Sequence, residues 1–131
     1  MTSPLRLGNA ILCEYIVEGI NKKHTLINTY SGDILVEELP GQMAVAFYIE
    51  IYATRLYKGH VEIKLMLGKR EAMRGNVEVD LIPPNPAIIA IPMGLLKIDA
   101  PATLRLIVTP TGGKPMKAIE KKISLAVTAP I

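Results

Sequence analysis

The sequence predicts an all-β fold: a single-domain antiparallel β-sandwich over residues 1–131, of Ig-like or C2-like Greek-key type, with about eight strands. Three observations carry this prediction. Apolar residues recur at every second position in one short run after another, as in Val61, Ile63, Leu65 and Leu67 around Glu62 and Lys64. Side chains alternate between the two faces of a strand, so each such run reads as a half-buried strand. Turn residues punctuate the chain at a spacing of roughly 8–12 residues, which suits short strands in two packed sheets. No segment sustains a helical period. Gly68 and Gly75 bracket residues 69–74 too closely for more than a single turn.

Taken in order, the first strand runs from Leu7 to Val17, and Gly19, Asn21 and Lys22 turn the chain into a partner from His24 to Tyr30. Ser31-Gly32-Asp33 predicts a bulge or bend before Ile34, Leu35 and Val36. Pro40-Gly41 is a stop. Met43 to Tyr52 is the most apolar strand, with Met43, Val45, Phe47, Ile49 and Ile51 on one face. Its other face carries Ala44, Ala46, Tyr48 and Tyr52, with Glu50 as the one charge. The next strand is His60 to Leu67. Gly68-Lys69 fits a two-residue hairpin with glycine first, leading into a short return around Arg70 to Met73. A strand from Val77 to Ile82 follows. Pro83, Pro84 and Pro86 exclude a sheet interior, because proline lacks an amide donor and fixes its own φ. The stretch from Pro83 to Pro101 therefore reads as a long connection, with brief extended pieces at Ile88 to Ile91 and Leu95 to Ile98. Thr103 to Thr109 is a strand, Pro110, Gly112 and Gly113 turn the chain, and the last strand runs from about Ala118 to Thr128. Lys121 breaks its inward register, a device of sheet edges.

Composition bounds the function. Half the residues are hydrophobic, which excludes a disordered chain. The longest near-apolar stretch, Ala87 to Leu96, contains Pro92 and Gly94, and a spanning helix needs roughly 20 apolar residues. No membrane partner is therefore expected. Glu14 breaks the first apolar run and no small-residue cleavage site follows, so no secretory leader is read and the cytoplasm is the default compartment. A lone Cys13 forms no internal disulfide. The charge is uneven: residues 1–54 carry three basic and six acidic groups, and residues 55–131 carry twelve and six. Arg55, Lys58, Lys64, Lys69, Arg70 and Arg74 are the candidate basic patch. Such asymmetry can mark a nucleic-acid face, although a solvated surface is the commoner meaning.

The residues of chemically useful types point to no reaction. Cys13 needs a nearby histidine or a helix N-terminus to become a nucleophile. It shares parity with Ile11, Tyr15 and Val17, and reads as a buried small hydrophobe facing inward with them. His24 and His60 are isolated at turn–strand junctions and lack the spacing of a metal site, so no metal or cofactor is expected. Glu37-Glu38 are strand neighbours that point to opposite sides, a poor geometry for shared acid–base work. Gly112-Gly113-Lys114 reads as a turn, because no helix follows to form a phosphate site.

The segments Ala10-Ile11-Leu12-Cys13-Glu14-Tyr15 and Thr25-Leu26-Ile27-Asn28-Thr29-Tyr30-Ser31-Gly32-Asp33-Ile34, followed by Leu39-Pro40, carry a resemblance. They resemble an uncharacterised bacterial family of small all-β domains of unknown function. The shared features are the acid directly after the cysteine, the aliphatic pair Leu26-Ile27 and the proline before the third strand. The resemblance covers about the first third of the chain, residues 10–40. It implies a bacterial or phage origin and a β-sandwich, and it implies no activity.

The expectation for function is a protein-interaction or structural module that self-associates or binds another protein, more a binder than an enzyme. Its interface candidates are Ala44, Ala46, Tyr48 and Tyr52, since an apolar sheet face with tyrosines usually meets a partner, although packing beneath a loop or a neighbouring strand is the commoner fate of such residues. The alternatives are a nucleic-acid-binding module using the basic half, and a small-ligand binder or hydrolase with a site built from loops. A concave pocket joining His24 or His60 to carboxylates would favour the last.

Overall fold

In a computed structural model, which describes residues 5–126, period-two alternation has become nine strands. They are β1 (Leu5–Glu18), β2 (His24–Thr29), β3 (Ile34–Val36), β4 (Gly41–Ala53), β5 (Tyr57–Leu67), β6 (Arg70–Leu81), β7 (Ala87–Ile98), β8 (Ala102–Pro110) and β9 (Met116–Leu125). A 3₁₀ turn at Ile20–Lys22 joins β1 to β2. The strands form two sheets packed together, a β-sandwich. One sheet has the order β2-β1-β4-β7 and the other β3-β9-β8-β5-β6. All pairs are antiparallel except β3 with β9. The part of the last predicted strand beyond residue 126 lies outside the described residues.

The core lies between the inward faces that the alternation marks. Met43, Val45, Phe47, Ile49 and Ile51 of β4 face Val61, Ile63, Leu65 and Leu67 of β5 and Leu104, Leu106 and Val108 of β8. Burying one such side chain contributes about 1.5–3 kcal/mol, so these three strands hold most of the driving force. Gly68, the first central residue of the β5–β6 hairpin, has φ +61, a value open to glycine at little cost.

Three expectations are corrected. The connection expected from Pro83 to Pro101 contains a twelve-residue strand, β7, at the edge of the first sheet. The register of β4 with β7 shifts by one between Val45↔Gly94 and Phe47↔Ile91, so residues 92 and 93 stand opposite Ala46 alone. A bulge on an edge strand is where a proline costs no ladder bond. The two short runs of residues 70–82 likewise fuse into β6, with Ile82 exposed beyond its end.

The third correction concerns β1. Leu5 and Leu7 pack inward, but so do Ala10 and Leu12, of opposite parity. The register with β4 shifts between Leu7 and Ala10, and the extra residue at Gly8-Asn9 exchanges the two faces. Cys13 therefore points away from the sandwich core rather than into it. At Gly8 a Cβ would stand 2.6 Å from the Tyr52 ring, so the bulge needs glycine there. Lys121 is explained locally: its Nζ donates to the Gly32 carbonyl at 2.8 Å, which anchors the bend before β3.

Candidate functional site

Beyond Cys13 the β1–β2 hairpin curls over the outer face of the first sheet. Its underside residues Ile16 and Leu26 join Cys13, Ala46, Tyr48 and Ala90 in a second apolar cluster, separate from the core. The His24 ring meets the Tyr48 ring edge-on, with centroids 5.6 Å apart. Tyr30 donates from its hydroxyl to the Ala44 carbonyl at 2.8 Å. Tyr52 lies over Gly8 and donates to Glu50 at 3.4 Å. Each of Ala44, Ala46, Tyr48 and Tyr52 thus has cover from within the chain, and Ala46 is fully buried. In β2 His24 and Leu26 are half-buried while Thr25 and Ile27 are exposed, and adjacent apolar Leu26 and Ile27 leave the sequence without a signal for which face forms this roof.

Cys13 sits beneath it. The thiol donates to the Ala46 carbonyl at 3.7 Å, and burial pushes its pKa up, against the nucleophile's requirement. Burial under the hairpin also raises the Tyr48 phenol, with Glu50 adding to the effect.

Where the hairpin meets β7 and the end of β6, a half-open cleft of about 600 Å³ forms. It joins His24 and Glu18 of the hairpin to Asp80 of β6, over a floor of Ile88 and Ala90. The imidazole and one carboxylate come from paired positions of the hairpin, Glu18↔His24, and the second carboxylate comes from the other sheet. Among the described residues no hydrogen bond links His24 to either carboxylate, and no group of three potential ligands has metal-binding geometry. Among the described lining residues no hydroxyl or thiol stands beside a base, and the polar side chains of the cleft are one imidazole and two carboxylates. His60 belongs to the other sheet and is exposed.

The basic candidates spread over the second sheet. Arg55 and Lys58 lie at the start of β5, and Lys69 and Arg70 at the turn beyond its far end. Between them Glu62 lies 4.0 Å from Lys64 and 3.9 Å from Arg74, while Arg74 also pairs with Glu71. Arg70 donates to the Lys97 carbonyl at 2.9 Å. Acids interleave with bases across this face. On the neighbouring strands, hydrogen bonds from Arg105 and Lys117 hold the Glu120 carboxyl below its usual range.

The four sheet edges differ sharply. β3 is three residues long and runs into Glu37-Glu38. β2 is short and polar, and β6 carries Arg70, Glu71, Arg74, Glu78 and Asp80. β7 is long, and Lys97 is its one charged residue. Among the described residues no helix is long and apolar enough to cross a membrane. No protein-family model matches the chain, and no curated protein matches it.

Proposed function

We propose that this β-sandwich is a protein-interaction module that associates with a second copy of itself through the edge of β7. The observation that carries the proposal is the contrast between edges. Lone sandwiches blunt their edges with charge, shortness or bulges, and β2, β3 and β6 follow that rule. In β7 the run Ala87-Ile88-Ile89-Ala90-Ile91 holds no charge and precedes the bulge, while Arg70 occupies a carbonyl only at the far end of the strand. Antiparallel pairing of this run with its own copy about Ile89 sets apolar residues against apolar residues and opposes no like charges. It is the self-complementary geometry of a two-fold dimer. Light scattering across the micromolar range tests it. The wild-type chain is expected to run as a dimer and Ile88→Lys as a folded monomer. A wild-type monomer at every concentration would falsify the proposal.

A second reading, small-ligand binding, draws on the cleft that joins His24 to Glu18 and Asp80. A cationic ligand suits two carboxylates. Its binding would shift the His24 ring resonances and weaken in Asp80→Asn.

A further inference from the structure

A slot enters the sandwich core on the side where β6 and β7 run past each other. Its volume is about 210 Å³, and its inner walls are the core side chains Phe47, Ile63, Leu65 and Leu106. The slot exists because of one residue. Met73, Val77, Val79 and Leu81 of β6 pack against the core, and Gly75, paired with Ile63, holds the same inward parity. A Cβ at Gly75 would meet no atom within 4 Å, and the backbone there is not left-handed. Neither crowding nor conformation requires glycine at this position. What glycine provides is space, where a side chain would otherwise complete the packing.

The chemistry of the lining decides what fits. Among the described lining residues Arg74 is the one charged, and that guanidinium is engaged by Glu71 and Glu62. The other described walls offer no charge and no side-chain hydrogen bond. Whatever part of a ligand enters must therefore be hydrocarbon. An enclosed apolar cavity of about 150 Å³ takes up a molecule the size of benzene; this slot, open to solvent at the exposed Gly75, has about 210 Å³ for such a group. At its mouth Met73 reaches across to β7, its methyl 3.5 Å from where a Cβ at Gly94 would stand. Methionine is flexible and polarisable enough to move aside and repack on an incoming group.

We propose that the slot is a binding site for the hydrocarbon group of a small molecule, alkyl or aryl, which occupies the place of the missing side chain and leaves its polar end in solvent. This does not rest on the pairing of β7, and titrating the Ile88→Lys monomer alongside the wild type keeps the two proposals separable. The full chain, labelled at its Ile, Leu and Met methyls, is titrated with toluene and with 1-hexanol while its methyl spectrum is recorded. Saturable shifts confined to Ile63, Leu65, Met73 and Leu106 are expected, and the tighter of the two probes identifies the ring or the chain as the ligand. Gly75→Val fills the slot. It should bind at least tenfold more weakly while its thermal midpoint stays equal to the wild type's or rises. Ile91→Phe fills the slot from the opposite sheet and takes its place if Gly75→Val does not fold. Absence of saturable shifts with both probes, shifts centred elsewhere, or unchanged binding in the filled variants overturns the proposal.

Discussion

Cys13 is buried by a hairpin that folds over it, on a strand face that simple alternation assigns to the core. Its consequence is a thiol that resists ionisation. The folded-state pKa lies above the ordinary thiol value, so the unfolded chain gives up this proton more readily. The associated stability is fully present below the unfolded thiol's pKa and is lost as pH rises through the folded one. Burial raises the Tyr30 and Tyr48 phenols with the same sign, so the comparison with Cys13→Ala isolates the cysteine. Urea unfolding at about pH 7 and about pH 10 should show the wild type losing more stability than Cys13→Ala over that interval. A disulfide reagent should leave the folded chain untouched and react fully once it is unfolded.

The roof over the first sheet is an element with few supports: Ile16 and Leu26 below, and the His24–Tyr48 contact at its end. Removing a buried aliphatic side chain costs about 2–5 kcal/mol. Ile16→Ala is expected to fall at the low end, because the hairpin can lift locally while the sandwich stays closed. Hydrogen exchange should then speed up in β2 while β4, β5 and β8 keep their protection. Protection lost uniformly across all strands would contradict this. The same element shows what the sequence makes legible. The inner face of β4 is readable residue by residue, because Met43 through Ile51 alternate without interruption and both neighbours of β4 are long strands. The face of Cys13 is not, because both parities of β1 are apolar and a single extra residue at Gly8-Asn9 exchanges them. Nor is β7: its proline marks a break in any local rule, and only the pairing with β4 reveals that the proline sits at a bulge. The slot at Gly75 was equally hidden, since a glycine in an alternating run states nothing about what stands opposite.

For the molecule as a whole, charge is distributed by pairing rather than by half. The sequence places the basic excess after residue 54, but the second sheet sets Glu62, Glu71 and Glu120 among Lys64, Arg74, Arg105 and Lys117. Exposed pairs of this kind add little stability, about 0–1 kcal/mol each, yet they set carboxylates among the bases that a phosphate backbone would have to meet and so weaken the local field. A labelled oligonucleotide should therefore show no shift at about 150 mM salt, and replacing Lys69, Arg70 and Arg74 together should change nothing. A salt-dependent shift that those replacements abolish would revive the nucleic-acid reading. One further feature acts on the same scale. β3 has a single hydrogen-bonded neighbour, β9, and lies parallel to it through Ile34↔Ile123 and Val36↔Leu125. On a ribosome adding roughly 5–20 residues per second, Ile34 emerges long before the strand that will hold it. Until residues 102–110 and then 116–125 follow, the second sheet has a gap between β3 and the β5–β6 hairpin, two strands wide at first and one strand wide once β8 is made. A nascent chain of this protein thus carries its apolar faces uncovered for most of its synthesis, and the interval before β9 is the one in which a chaperone would find it.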